Sequence, residues 1–221
     1  MMNKSSINNA NIKNDNLTNL IDSVNLINTG DNLSLRKIIG RIEENPIIAA
    51  IRKYEDIEYA LESAVTTIFL LREDIFTIEK NVQKIKNKNK SVFVHIELLE
   101  GLGKDNRAID YLADIIKPNG IITTRISQVK YAREKGIYTI QRFFLVDSQS
   151  YETAIKSVQS VKPDMVEIMP AVMPGIIGKF SREISLPVIA GGLIDSKNDI
   201  IEVLKAGALG ASTGKKELWS C

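Results

Sequence analysis

Eight short apolar runs and the helix-like stretches between them predict an α/β fold: a compact (β/α)8 barrel of the TIM type with a poorly ordered N-terminal extension. The runs are Ile47–Ile51, Thr67–Leu71, Ser91–Glu97, Gly120–Thr124, Tyr138–Phe143, Met165–Pro170, Pro187–Gly192 and Ala208–Thr213. They are nearly continuous rather than alternating, as in strands of a parallel sheet covered on both faces. Eight units favour a closed barrel, because an open doubly wound sheet more often has five or six strands.

The elements follow in order. Residues 1–45 carry eleven asparagines, and their five basic and five acidic side chains cancel. Their apolar residues are scattered, so the segment reads as a polar extension. A helix is expected over Leu33–Glu44, where Leu35, Ile38, Ile39 and Ile42 recur at i, i+3, i+4 and i+7. From Pro46 the barrel domain runs to residue 221. Ile57, Ala60, Leu61 and Ala64 make one apolar stripe between strands. Gly136 closes a helix that begins near Ser127, and Ser196 and Gly207 bracket another through Ile200, Val203 and Leu204. After the eighth run only Gly214–Cys221 remain, too few for a full outer helix, and the Leu35–Ile42 stripe is a candidate cover for the barrel floor or for that gap.

Composition narrows the chemistry. Of the 221 residues, 44% are hydrophobic and 25% charged, enough to bury a full core. The net charge of +2 sets up no strong global field, so any nucleic-acid contact must come from locally placed basic residues. One cysteine, Cys221, excludes a disulfide framework and a cysteine zinc site, and the lone His95 excludes a histidine-rich metal centre. No apolar run spans a membrane and no secretory start is present, so the expected address is the cytoplasm.

In such a barrel the chemistry sits at the C-terminal ends of the strands. These ends carry Arg52, Arg72, His95 with Glu97, Thr124 with Arg125, Gln141 with Arg142, and Glu167. Arginines hold anions as planar clamps, although any one at a strand end also serves as a salt-bridge partner. The last two strands end in Ala190-Gly191-Gly192 and Ser212-Thr213-Gly214. Residues without bulky side chains let backbone N–H groups approach a phosphate, so Gly191, Gly192, Ser212, Thr213 and Gly214 are the expected phosphate cradle. Alternation along Phe93–Glu97 puts His95 and Glu97 on one face, as a core pair or as ligand contacts. Arg52, His95, Glu97, Arg125, Arg142 and Glu167 form the expected ligand-binding mouth. No lysine ends a strand, which weighs against a Schiff-base aldolase, and neither a catalytic set nor a cofactor or metal site is assigned. Lys84, Lys86, Lys88 and Lys90 read as a solvated face, and Trp219 as packing for the last short helix.

The segments PIIAAIR (46–52), VFVHIELLEGLG (92–103), KPNGIITTR (117–125), IQRFFLVD (140–147), KPDMVEIMP (162–170), IAGGL (189–193) and KAGALGASTGKKELW (205–219) resemble the bacterial glycerol uptake operon antiterminator regulatory proteins. The resemblance covers essentially all of 46–219. It implies a regulator rather than a catalyst, with glycerol 3-phosphate as effector, leader mRNA of glycerol-metabolism genes as the RNA-binding target, and transcription antitermination as the outcome. Five positions depart from the pattern: Glu97 for aspartate, Arg72-Glu73 for a small residue and glycine, Ala171 for glycine, and Gly214 for serine. Two alternatives stand beside this reading. One is a small barrel enzyme, an isomerase or phosphodiesterase of a phosphorylated triose, with Glu97 or Glu167 as base and His95 as acid. The other is an effector-binding homodimer without RNA.

Overall fold

The computed structural model describes residues 29–220. The expected poor order of the first residues falls outside that range, as does Cys221. Helix α1 (Thr29–Glu44) contains the expected helical segment. From Ile38 onward the chain is one compact unit.

Eight parallel strands close into a barrel. They are β1 (Ile47–Ile51), β2 (Thr67–Leu70), β3 (Ser91–His95), β4 (Gly120–Thr123), β5 (Tyr138–Phe144), β6 (Met165–Met169), β7 (Val188–Gly191) and β8 (Gly210–Thr213). Each pairs with its neighbour in sequence, and β8 returns to β1 with Ile47 opposite Ala211 and Ala49 opposite Thr213. Outer helices follow seven strands: α2 (Asp56–Glu62), α3 (Ile78–Asn87), α4 (Asn106–Tyr111, continuing as a wider turn to Ile116), α5 (Ile126–Glu134), α6 (Ser148–Val161), α7 (Pro174–Glu183) and α8 (Lys197–Lys205). Among the described residues, β8 is followed by a single 3-10 turn, Lys216–Leu218.

The strands are apolar throughout because both faces are covered. Ile47, Ala49 and Ile51 of β1 pack into the layer shared with the helices, as do Val92 and Val94 of β3. The alternate residues, such as Ile48, Phe69 and Phe93, fill the barrel interior, where the two rings meet edge to face at 5.8 Å. Gly120 is needed there, since a Cβ would stand 2.5 Å from the Phe93 ring.

The ends are closed differently. At the floor, Ile42 is fully buried and a Cβ on Gly210 would meet its Cγ2 at 2.8 Å. Thr66 Oγ1 donates to the Arg41 carbonyl at 3.0 Å, tying the same turn of α1 to the start of β2. The gap at β8 is filled by Trp219, which is 1% exposed, donates Nε1–H to the Thr213 carbonyl at 2.8 Å and meets the Tyr59 ring at 5.9 Å. Asp147 and Ser196 cap α6 and α8 with reciprocal hydrogen bonds to their N3 residues. The lysine run on α3 is engaged rather than free: Lys84 and Lys88 pair with Glu58 and Glu62, while Lys86 and Lys90 donate to backbone carbonyls.

Candidate functional site

The inward alternation of five strands brings His95, Arg142, Glu167, Gly191 and Ser212 into the upper layer of the barrel interior. All are buried. Arg142 Nε donates to Glu167 Oε2 at 2.6 Å, with the two side chains 6% and 1% exposed. Ser212 Oγ donates to the other carboxylate oxygen at 2.6 Å. Gly191 makes room for this pair, because a Cβ there would meet Glu167 Oε1 at 2.5 Å and Ser212 Oγ at 2.6 Å. Its lack of a side chain therefore serves the packing of a buried ion pair.

Glu97 does not lie on the strand as the alternation suggested. β3 ends at His95, and Glu97 stands in a 3-10 turn, Ile96–Leu98. The turn still returns its carboxylate toward the strand end, with Oε2 3.2 Å from His95 Nδ1. Neither of those two atoms has an aligned hydrogen-bond partner among the described residues. Oε1 accepts from the Thr124 backbone N–H at 3.1 Å and lies 2.5 Å from Thr123 Oγ1. Thr123 Oγ1 is equally close to Gln128 Oε1, and Gln128 Nε2 donates to the Lys104 carbonyl at 3.2 Å. Thr123 and Gln128 thus brace the mouth. The sequence reading passed over them because a threonine on an outward strand position and a glutamine on a helix carry no signal of their own.

Burial, and then the nearby Arg142 charge, push the His95 imidazole down to about 4, so the ring is neutral at pH 7. The unfolded chain takes up this proton near 6.5, the folded chain only near 4. Stability is complete above the higher value and is lost as pH falls through that window, by roughly 2–3 kcal/mol near pH 4.5. In urea unfolding at pH 7 and pH 4.5, His95→Gln is expected to lose that much less than the parent chain. An equal loss would show that His95 is not buried neutral.

The rim holds the remaining predicted residues. Gly192 follows β7 with φ +76°, in the left-handed region, and its carbonyl accepts from the Ala171 N–H at 3.1 Å, linking the loops after β6 and β7. Ala171 is buried in that link, where no left-handed backbone demands a glycine. Thr213 faces outward: its Oγ1 donates to the Ile194 carbonyl at 3.0 Å and accepts from the Lys215 N–H at 3.1 Å, joining the loops after β7 and β8. Gly214 is the open member of the set, since a Cβ there would meet only the Ala50 carbonyl at 3.5 Å. A serine would fit.

The three arginines do not share one cluster of partners. Arg142 is committed to Glu167 inside the barrel. Arg125 is exposed at the start of α5 and donates to the Lys104 carbonyl at 3.3 Å. Arg52 is exposed beside a cavity of about 680 Å³ that also involves Lys53, Tyr54, Arg72, Glu73 and Glu100. The departures at 72 and 73 have clear partners there. Arg72 pairs with Glu100 across a two-residue ladder, and buried Glu73 accepts from Thr77 Oγ1 and Asn81 Nδ2. Burial raises the Glu73 carboxyl above the usual range.

The profile of the family described as "Glycerol-3-phosphate responsive antiterminator" matches residues 47–219. The chain belongs to this family. Its barrel superposes on the glycerol uptake operon antiterminator regulatory protein of Listeria monocytogenes with a TM-score of 0.76 and 34% identity, covering 79% of this chain and 95% of that one. A glycerol uptake operon antiterminator-related protein of Thermotoga maritima gives a TM-score of 0.71 and 30% identity, over 79% and 98% of the two chains. An uncharacterized Escherichia coli protein, YgcP, is 36% identical over 179 residues, 81% of this chain and 94% of that one. In this member of the antiterminator family, no helix among the described residues is long and apolar enough to cross a membrane.

Proposed function

We propose that this chain is a cytoplasmic transcription antitermination regulator of glycerol-metabolism genes that binds leader mRNA in response to glycerol 3-phosphate. The observation that carries the effector site is the pair of adjacent strand-end loops. Gly192 and Gly214 offer backbone N–H groups at the top of β7 and β8, where barrels of this class hold phosphates. Thr213 fixes one loop to the other, while Gly191 and Ser212 set the floor of the cradle through Glu167. Arg52 and Arg125 contribute positive potential from the rim, and Arg142 does so from below. His95, Glu97 and Glu167 provide the polar wall for the glycerol hydroxyls.

The enzyme alternative fits this arrangement less well. A neutral imidazole held down to about 4 is no cationic general acid at pH 7. Glu167 has both oxygens committed, to Arg142 and Ser212, and offers no free base. Calorimetric titration of the full chain with glycerol 3-phosphate, followed by leader-RNA retention with and without it, tests the reading. The expected result is effector binding, no turnover, and effector-dependent RNA retention. Turnover of the ligand would instead establish a triose-phosphate enzyme, and effector binding without RNA retention would establish a sensor, with dimerisation as its measurable partner state.

A further inference from the structure

A ring nitrogen in the upper layer of the barrel interior is left unused by the packing around it. His95 is only 5% exposed, and its two nitrogens have different surroundings. Nδ1 is sealed from solvent, with Glu97 Oε2 3.2 Å away. Nε2 keeps solvent access and meets no hydrogen-bond partner among the described residues. It therefore opens toward the mouth.

A neutral imidazole carries one N–H and one bare lone pair. The oxygen facing Nδ1 belongs to a carboxylate, which offers lone pairs only. The proton therefore sits on Nδ1, although the two atoms are not well aligned, and Nε2 faces the mouth as an acceptor. Glu97 is itself held in place. Its Oε1 accepts from the Thr124 N–H at 3.1 Å and Thr123 Oγ1 closes on the same oxygen, which turns Oε2 toward the ring. The other charged neighbours leave the Nε2 lone pair without a donor from the protein. Arg142 Nε is spent on Glu167, and both Glu167 oxygens already accept, from Arg142 and Ser212. Burial and the Arg142 charge keep the ring neutral at pH 7, against the opposing pull of Glu97 and Glu167.

In the closed sheet β3 lies diametrically opposite β7, four strands away in either direction. A ligand whose phosphate rests on the β7–β8 loops therefore points its far end at His95. We infer that His95 Nε2 accepts a hydrogen bond from the terminal hydroxyl of a phosphorylated three-carbon polyol, and so selects a primary alcohol at that carbon over a methyl or a carboxylate. Glu97 is the positioning residue that sets the tautomer. The inference rests on the glycerol 3-phosphate reading and deepens it: the alcohol end of the skeleton is read as well as the phosphate. A methyl there would bury Nε2 unsatisfied, and a carboxylate would set lone pairs against its lone pair.

His95 is the sole histidine of the chain, so nitrogen NMR of the full chain labelled at histidine reports a single ring. At pH 7 the proton is expected on Nδ1, and the Nε2 resonance should move when glycerol 3-phosphate is added. By calorimetry the parent should bind glycerol 3-phosphate roughly 10- to 100-fold more tightly than propane-1,2-diol phosphate, which carries a methyl in place of the terminal hydroxyl. In His95→Phe that ratio should fall to about threefold or less. A histidine with only a structural role would weaken both ligands alike and leave the ratio as it was. In Glu97→Gln the amide oxygen keeps the Thr124 N–H and the amide N–H turns to Nδ1. The proton should then move to Nε2, and 3-phosphoglycerate should gain on glycerol 3-phosphate by roughly tenfold. A proton on Nε2 in the parent, a parent ratio of about threefold or less, an unchanged ratio in His95→Phe or an unchanged tautomer in Glu97→Gln would each overturn the inference and leave the effector reading standing. The first two need no variant to fold. If the parent does not bind glycerol 3-phosphate, the effector reading fails and takes the inference with it.

Discussion

Glu167→Ala is expected to cost about 3–5 kcal/mol of folding stability, because it leaves the Arg142 guanidinium buried without its counter-charge. Arg142 Nε lies 2.6 Å from the carboxylate, and solvent reaches 6% and 1% of the two side chains. No water shell is available to take over. Ser212 loses its acceptor at the same stroke, which adds an unsatisfied buried hydroxyl. Thermal unfolding should show the midpoint falling by roughly 6–20 °C for a chain of this size. Replacing both partners together, Arg142→Met with Glu167→Met, should recover most of that loss, because two desolvated charges are then removed rather than one. A single variant as stable as the parent would mean that the pair is solvated.

Gly214→Asp should abolish glycerol 3-phosphate binding at the concentrations that saturate the parent, a loss of about 100-fold or more from placing a carboxylate beside the phosphate. This position separates binding from folding. A Cβ at Gly214 makes only an ordinary contact at 3.5 Å, whereas one at Gly192 would sit 2.6 Å from Met169 Cε on a backbone with φ +76°. Gly192 variants would therefore confuse strain with lost ligand contact. Gly214→Ser is the control and should retain both stability and binding. Calorimetry on the three proteins gives the answer: unchanged affinity in Gly214→Asp would move the phosphate away from the β7–β8 loops.

Much of the barrel was legible because its strands are covered on both faces. Ile47–Ile51 stands as read, and the other seven runs shift by one or two residues at their ends. Ser196 and Gly207 mark α8 because caps follow local backbone chemistry. The failure at Glu97 has a local cause. The chain turns at Ile96, and period-2 alternation carries no information beyond the last paired residue. The Arg142–Glu167–Ser212 network was not legible at all, since its links span 25 and 45 residues of sequence. Convergence at a barrel mouth could name the participants but not who bonds to whom. For the same reason Arg142 read as an anion clamp, although a carboxylate of the neighbouring strand occupies it. The solvated reading of the α3 lysines missed that α2 carries matching carboxylates one helix away.

The closing pair of the barrel has a consequence for how the protein comes into being. β1 has β8 on one side, and Ala211 follows its partner Ile47 by 211 − 47 = 164 residues. At a synthesis rate of about 5–20 residues per second, one edge of the nascent sheet waits roughly 10–30 s for the strand that covers it. Throughout that interval the row Ile47–Ile51 offers unpaired backbone groups on an apolar edge. Trp219, which seals the seam from outside, follows β8 in the chain and so cannot cover this edge before β8 itself is made. Nascent chains stalled before Gly210 should therefore be the species that chaperones hold and that aggregate when chaperones are scarce.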